Sequence, residues 1–413
     1  MNIKTTNLKI LYAVVVFLTS FFPARAQEKN PIIDSKQKLD MERDSIRSIY
    51  HEIQGEEVKS KKLNIFIVTR SGFNVQSYRD RPTQVNFLVS QLRLDINGNL
   101  TENIFYRLRQ RLNRAAGPEN LDNLSTATDM MYVGYNFGDK FSLIFGKQAI
   151  AWGGFEFDYN PIYVYQYSDI MSNMGVFKVG STFTYKFSKR NNINFQIGNT
   201  NNSRLINNFS KGMYETSNLQ TSTAPLSYIV DWNGAFFEND MIETKWSFAV
   251  QNEAKGYYSK SLALGTKLNL PYFALALDYL RSDFPIDRIM LATRYTTQFY
   301  NNNIIAKSSI YNSFIMKAEY FFMKKWTYFF KGMYETTSLP EDKNFGNNFR
   351  KSYGYITGVE FSPFPHQDLK LFLTYVGRSF QYKDQLTKMR EDIFRNYNTN
   401  RFFLGVIYNI KAF

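Results

Sequence analysis

Residues 104–112 read Ile104-Phe105-Tyr106-Arg107-Leu108-Arg109-Gln110-Arg111-Leu112. In an extended chain, residues two apart share a face. Ile104, Tyr106, Leu108 and Leu112 then form an apolar side, and Arg107, Arg109 and Arg111 stack opposite, about 7 Å from one to the next. A helix would scatter these two sets around its circumference. A strand facing lipid on one side and water on the other keeps them apart. Three arginines on the lipid side near the bilayer midplane would cost roughly 2–4 kcal/mol each, so the guanidinium groups are expected to look into a lumen.

The same period runs through the rest of the chain from Leu63 onward. Ile193, Phe195 and Ile197 alternate with Asn194, Gln196 and Gly198, and Trp246, Phe248 and Val250 oppose Lys245, Ser247 and Gln251. Near the end, Phe402, Leu404, Val406, Tyr408 and Ile410 alternate with Arg401, Phe403, Gly405, Asn409 and Lys411. The 413 residues include 29 Tyr, 38 Phe and 4 Trp, as the aromatic girdles of a membrane barrel demand. Short turns fall at 97–101, 138–140, 188–191, 237–242, 269–271, 323–324 and 363–367. Longer Asn-, Asp-, Ser- and Gly-rich links fall at 114–125, 151–173, 200–223, 282–309, 338–349 and 381–396. Turns on the periplasmic side and loops on the extracellular side give 16 strands. The segment 288–297 is either a further strand, which would make 18, or part of a loop. The expectation is therefore an all-β chain: a transmembrane antiparallel β-barrel, 16 strands by this count, with a short N-terminal periplasmic helix.

Three segments organise the chain. Residues 1–26 have the form of a signal peptide: Lys4 and Lys9, an apolar run from Ile10 to Phe22, and Ala24-Arg25-Ala26 before Gln27. Residues 27–62 are a periplasmic segment whose helix places Leu39, Ile46, Ile49 and Ile53 near one face, either as a solvated spacer or as a small coiled coil aiding assembly. Residues 63–413 are the barrel. The expected location is the outer membrane of a Gram-negative bacterium, reached by export and signal cleavage. The chain has no cysteine, which excludes a lipid-anchored Cys and a disulfide framework.

The formal charge of +14 becomes +11 once Lys4, Lys9 and Arg25 leave with the signal. Parity sends Arg93, Lys178, Lys186, Lys245, Lys331, Lys370, Arg378 and Arg401 inward beside the three arginines of 104–112. Asp95, Asp231, Glu319 and Glu360 point inward too. Two arrangements are open: a mixed-charge lumen whose arginines pair with carboxylates and hold loops, or a water-filled channel whose cationic excess concentrates small anions and passes them between guanidinium forks. Nucleic acid is excluded as a partner because the positive charge is dispersed over alternate positions. Two histidines, His51 on the N-terminal helix and His366 on a turn, supply neither a Ser-His-acid set nor a metal site, so no enzyme and no cofactor is expected.

A second constellation, Phe145-Gly146-Lys147-Gln148 followed by Trp152-Gly153-Gly154-Phe155-Glu156-Phe157-Asp158-Tyr159-Asn160-Pro161, opens a long connection. Its glycines permit a sharp reversal, so the loop either folds into the pore as a constriction carrying Lys147, Trp152, Gly153, Gly154, Glu156 and Asp158, or stays outside as an aromatic turn.

At these runs the chain resembles the phosphate-selective porin O/P family in the form common among Bacteroidetes-type bacteria. Arg93-Leu94-Asp95, Tyr106-Arg107-Leu108-Arg109, Ala127-Thr128-Asp129, Gly146-Lys147-Gln148 and Gly153-Gly154-Phe155-Glu156-Phe157-Asp158 carry the resemblance. It implies a 16-stranded homotrimer, an inward-folded third loop and a preference for anions, phosphate among them. The strand ending at Phe413 resembles the signal read by the barrel assembly machinery, although Phe413 is one residue out of phase with the lipid-facing set and needs a bulge or a frayed end. The expected function is passive diffusion of small anions past Arg93, Arg107, Arg109, Arg111, Lys178, Lys245, Lys331, Lys370 and Arg378, with outer-membrane lipid as the surrounding partner. The rival is a structural or adhesion barrel with a filled lumen and partner-binding loops.

Overall fold

The computed structural model describes residues 62–115, 117, 122–201, 213, 217–365 and 367–413. The signal peptide, the expected N-terminal helix and both histidines lie outside the described residues. Sixteen strands follow one another: β1 (Asn64–Ser77), β2 (Gln84–Asn99), β3 (Ile104–Arg111), β4 (Thr128–Phe137), β5 (Phe141–Ala149), β6 (Phe177–Ser188), β7 (Asn191–Asn199) and β8 (Leu226–Phe236), then β9 (Ile242–Ala254), β10 (Tyr257–Leu270), β11 (Phe273–Ile286), β12 (Lys307–Met323), β13 (Trp326–Leu339), β14 (Gly346–Phe361), β15 (Asp368–Tyr382) and β16 (Tyr397–Lys411). Each pairs antiparallel with its neighbours in sequence, and β1 pairs with β16 from Phe66↔Lys411 to Ser77↔Asn400, so the sheet closes without a free seam. Closure satisfies backbone groups that lipid could not.

Parity holds around the wall. Phe145, Phe195, Phe248, Phe314 and Leu404 are exposed to the outside, whereas their strand neighbours Ile144, Asn194, Ser247, Ser313 and Phe403 are buried inside. All seven predicted turns separate strands on one side. The opposite side holds the six long connections and two short ones that the loop composition does not predict: residues 78–83 between β1 and β2, and Lys255 and Gly256 between β9 and β10, with Gly256 at φ +79. The 288–297 segment is part of the β11–β12 connection and not a strand. Helix α3 (Leu291–Tyr300) occupies most of it and leaves the count at 16. Its alternating Thr, Tyr and Phe residues mimic a strand, but Leu291, Ala292, Thr293 and Thr296 form one buried helical face.

Four short helices lie wholly within the described residues: α1 (Phe155–Asp158), α2 (Asp169–Asn173), α4 (Asp384–Met389) and α5 (Glu391–Phe394). At the C-terminus, Ala412 N and Phe413 N both donate to Ile65 O, at 2.8 and 3.3 Å. This doubled pairing is the bulge that the phase of Phe413 required.

The alternation yields a test on β9. Phe248→Arg, near the middle of the strand, is expected to lower barrel stability in lipid by about 2–4 kcal/mol in urea titrations. A neutral effect would mean that this face does not meet lipid.

Candidate functional site: an arginine wall and an inserted loop

Arg107 and Arg109 converge on Asp95 of β2. Arg107 donates from Nε and Nη2 to the two carboxylate oxygens at 2.9 and 2.6 Å, and Arg109 Nε reaches Oδ2 at 2.7 Å. Register explains the meeting, because Asp95 stands opposite Arg109 and one inward step from Arg107. Arg111 holds Asp129 of β4 at 2.8 and 3.0 Å, and Arg93 lies 3.5 Å from the same carboxylate. The Ala127-Thr128-Asp129 run thus supplies the second acid of the cluster. The neighbouring strands add Arg70 on β1 and Arg401 on β16 to the lumen face. Arg70 has neutral acceptors: Ser90 Oγ at 2.9 Å and the carbonyls of Ile162 and Val164 at 2.9 and 3.0 Å. From β16 through β4, then, Arg401, Arg70, Arg93, Arg107, Arg109 and Arg111 stand on the lumen face, and four of them, Arg93, Arg107, Arg109 and Arg111, meet the carboxylates of Asp95 and Asp129.

Opposite this wall the lumen is not empty. The connection from β5 to β6, third on the extracellular side, turns inward and crosses it. Gly153 and Gly154 make the entry possible: Gly153 has φ +140, and a Cβ on Gly154 would stand 2.2 Å from Asp278 Oδ1. Asp278 on β11 receives the backbone N–H groups of Phe155 and Glu156 at 2.8 and 2.7 Å, seating α1 by its exposed amides. Glu156 pairs with Lys331 of β13, and Asp158 with Lys245 of β9 at 3.4 Å. Tyr163 and Tyr165 donate to Asp368 at 2.8 Å and Glu360 at 3.0 Å, and Tyr165 stacks on Phe329 with centroids 5.2 Å apart. Asp169, at the start of α2, binds Arg350 of β14 at 2.6 Å and Arg378 of β15 at 2.9 Å. Trp152, Ile162 and Ile170 are fully buried among these contacts.

Burial alone would raise the Asp169 carboxyl, but the Arg350 and Arg378 guanidinium groups outweigh it and hold the group well below the usual aspartate range. A depressed acid stabilises the fold above its unfolded value and loses that contribution as pH falls through the depressed one. The tether is therefore intact at neutral pH. Burial pushes the Tyr159, Tyr165 and Tyr167 phenols up, so they stay neutral, and Tyr165 donates to Glu360.

Of the residues expected at a constriction, Trp152, Gly153, Gly154, Glu156 and Asp158 stand in the inserted loop. Lys147 does not: it lies on β5 and pairs with Asp122 of the β3–β4 connection at 2.7 Å, both side chains being buried. Lys178 donates to Thr200 O at 2.7 Å, and Lys370 pairs with Glu360 at 3.1 Å. Arg70, Arg350, Asp169 and Glu335 were not singled out beforehand. Below the loop, a cavity with about 720 Å³ of empty space, its opening included, lies against β11–β15 beside Tyr159, Tyr163, Lys317, Lys331 and Lys370. Above it, rings from three extracellular connections meet: Phe299 of α3, Phe345 from the β13–β14 link and Phe394 of α5 lie 5.3–5.9 Å apart.

The sequence that builds this wall also matches a known family. The family model of phosphate-selective porin O and P aligns with residues 69–410. The chain belongs to that family. This porin also shares its fold with solved outer-membrane barrels. The DcaP channel of Acinetobacter baumannii aligns at a TM-score of 0.55 and 11% identity, over 84% of this chain and 97% of the other. An anion-selective porin from Comamonas acidovorans aligns at 0.53 and 9%, over 84% and 99%, and Salmonella typhi OmpF in complex with daunomycin at 0.53 and 12%, over 84% and 97%. No curated protein sequence matches the chain. Family and fold make this porin an outer-membrane channel protein rather than an enzyme.

The shared carboxylate predicts a large cost for its loss. Asp95→Ala removes the carboxylate that the buried Arg107 and Arg109 share and should destabilise the barrel by about 3–5 kcal/mol in urea unfolding. A loss below about 1 kcal/mol would mean that water already screens the cluster.

Proposed function

We propose that this porin passes small anions, phosphate among them, by passive diffusion along the arginine wall, with the third loop narrowing the route. The observation that carries the proposal is the imbalance of that wall. From β16 to β4, six guanidinium groups face the lumen against the carboxylates of Asp95 and Asp129, leaving a local positive excess in a confined space. Such an excess raises the local concentration of anions and lowers that of cations. Because most of these groups already share an acceptor, an anion meets partly satisfied donors and is held weakly at each step, as rapid passage requires. Lys178 and Lys370 face a carbonyl and a carboxylate elsewhere in the lumen, and Lys245 and Lys331 pair with Asp158 and Glu156 and contribute to anchoring the loop more than to the excess.

The proposal includes the rest of the sequence reading: an export signal over residues 1–26 with cleavage near Gln27, a separate segment at 27–62, homotrimeric assembly, and recognition of the strand ending at Phe413 by the assembly machinery. A second reading, a filled barrel presenting its loops to an outside partner, is favoured by a loop whose α1 and α2 are tied to the β9–β15 wall and whose Ile162 and Val164 carbonyls accept from Arg70 of the opposite wall. Planar-bilayer recording separates the two, since a permanently filled barrel gives no conductance steps.

The selectivity test removes charge without stranding any. Arg93, Arg107, Arg109 and Arg111 are replaced by Gln together with Asp95→Asn and Asp129→Asn, and the zero-current potential is measured across a salt gradient. The potential is expected to move toward the cation side, with anion preference falling severalfold. An unchanged potential would remove the arginine wall from the account.

A further inference from the structure

We infer that Arg350 and Arg378 form an oxyanion site that Asp169 occupies as a tethered ligand, so that a free oxyanion competes with the loop for the same two guanidinium groups. The inference rests on the third loop being the narrowing element, and adds what displaces it. Arg350 Nη1 and Arg378 Nη2 reach separate oxygens of Asp169 at 2.6 and 2.9 Å, and Ser352 Oγ adds a donor at 3.2 Å. Phe380 lies beneath both cations, 4.9 and 5.3 Å from its ring centre, which fixes their planes and leaves their edges for a ligand. Glu335 completes the group, accepting from Arg378 at 2.6 Å and from Ser352 at 3.1 Å, and its other oxygen accepts the Asp169 amide. With the loop in place, two cations balance two carboxylates.

Withdrawal of Asp169 changes that balance. Arg350, Arg378 and Glu335 would remain in the wall with a net charge of +1, a state that burial disfavours strongly unless an anion takes the vacated place. Loop position and anion occupancy are then linked: any anion that binds only the vacated site stabilises the withdrawn loop in proportion to its affinity. The chemistry selects among anions. Arg350 Nε and Arg378 Nε are buried and have no hydrogen-bond partner among the described residues. The donors therefore exceed what one carboxylate accepts, and a tetrahedral oxyanion, with four acceptor oxygens, fits the surplus better than chloride or a second carboxylate. Both arginines lie toward the extracellular ends of their strands, where a solute arriving from outside first meets the lumen.

The chain contains no cysteine, so one introduced thiol reports on the loop. Ser168 is fully buried next to Asp169, and Ser168→Cys retains its size. The full chain carrying Ser168→Cys is reconstituted in lipid vesicles, and labelling by a neutral maleimide is timed in sodium phosphate, sodium sulfate and sodium chloride at matched ionic strength. We expect labelling several times faster in phosphate and sulfate than in chloride, saturating with concentration. Adding Arg350→Gln and Arg378→Gln should abolish the difference, and adding Asp169→Asn should give fast labelling in every salt. A general salting-out effect would tighten the packing and slow labelling, opposite to the expected sign. Equal rates in the three salts overturn the inference. Where Ser168→Cys fails to fold, Met171→Cys, also buried on α2, reports in its place. Labelling reads the displacement of the loop and the zero-current potential reads selectivity, so either can fail while the other stands.

Discussion

Lipid offers no hydrogen bonds, so a wall of strands must close on itself and must divide its side chains by parity. That constraint fixes more than the outer surface. Once Ile104, Tyr106 and Leu108 are committed to lipid, Arg107 and Arg109 have no choice but the lumen, and their neighbours across the sheet must answer for them. Asp95 and Asp129 do so in part. The shortfall between guanidinium and carboxylate groups on β16–β4 is what separates this wall from a merely polar one, and it follows from which strands the closure at β1 and β16 brings side by side.

The inserted loop shows the same economy on the other wall. Charged side chains buried against protein need partners, and the β9–β15 wall finds many of them in residues 150–176. Lys245 meets Asp158, Lys331 meets Glu156, and Arg350 and Arg378 meet Asp169. Apolar packing supplies much of the holding force, through Trp152, Ile162 and Ile170, whereas the ion pairs define where each turn of the loop sits. A lumen arranged in this way is narrow by construction. A cavity lies below the loop, and the rings of Phe299, Phe345 and Phe394 gather above it.

The wall was legible because its rule is local. Two residues apart suffices to place Phe195 or Phe248, and turn chemistry suffices to end each strand on the periplasmic side. The lumen was less legible because its partners are distant: Tyr163 and Asp368 are 205 residues apart, and Arg378 and Asp169 are 209 apart. Arg70 went unnoticed beside a bulge at Arg70/Ser71 that breaks the period of its strand pair, and its acceptors are backbone carbonyls without a sequence signature. Arg350 stands at the edge of a segment read as loop. Helix α3 is not legible within its connection because Thr, Tyr and Phe suit either period over ten residues. The Gly153-Gly154 pair announces a sharp reversal that could run inward or stay outside, and its partner Asp278 has no local signature.

The account holds that the loop sets the width of the route and the arginine wall sets its sign. Single-channel recording on the chain with residues 153–174 replaced by a short Gly-Ser linker tests both together. The account predicts conductance steps several times larger than those of the intact chain, with anions still preferred. Steps of unchanged size, or a widened pore with no preference between chloride and potassium, would contradict it.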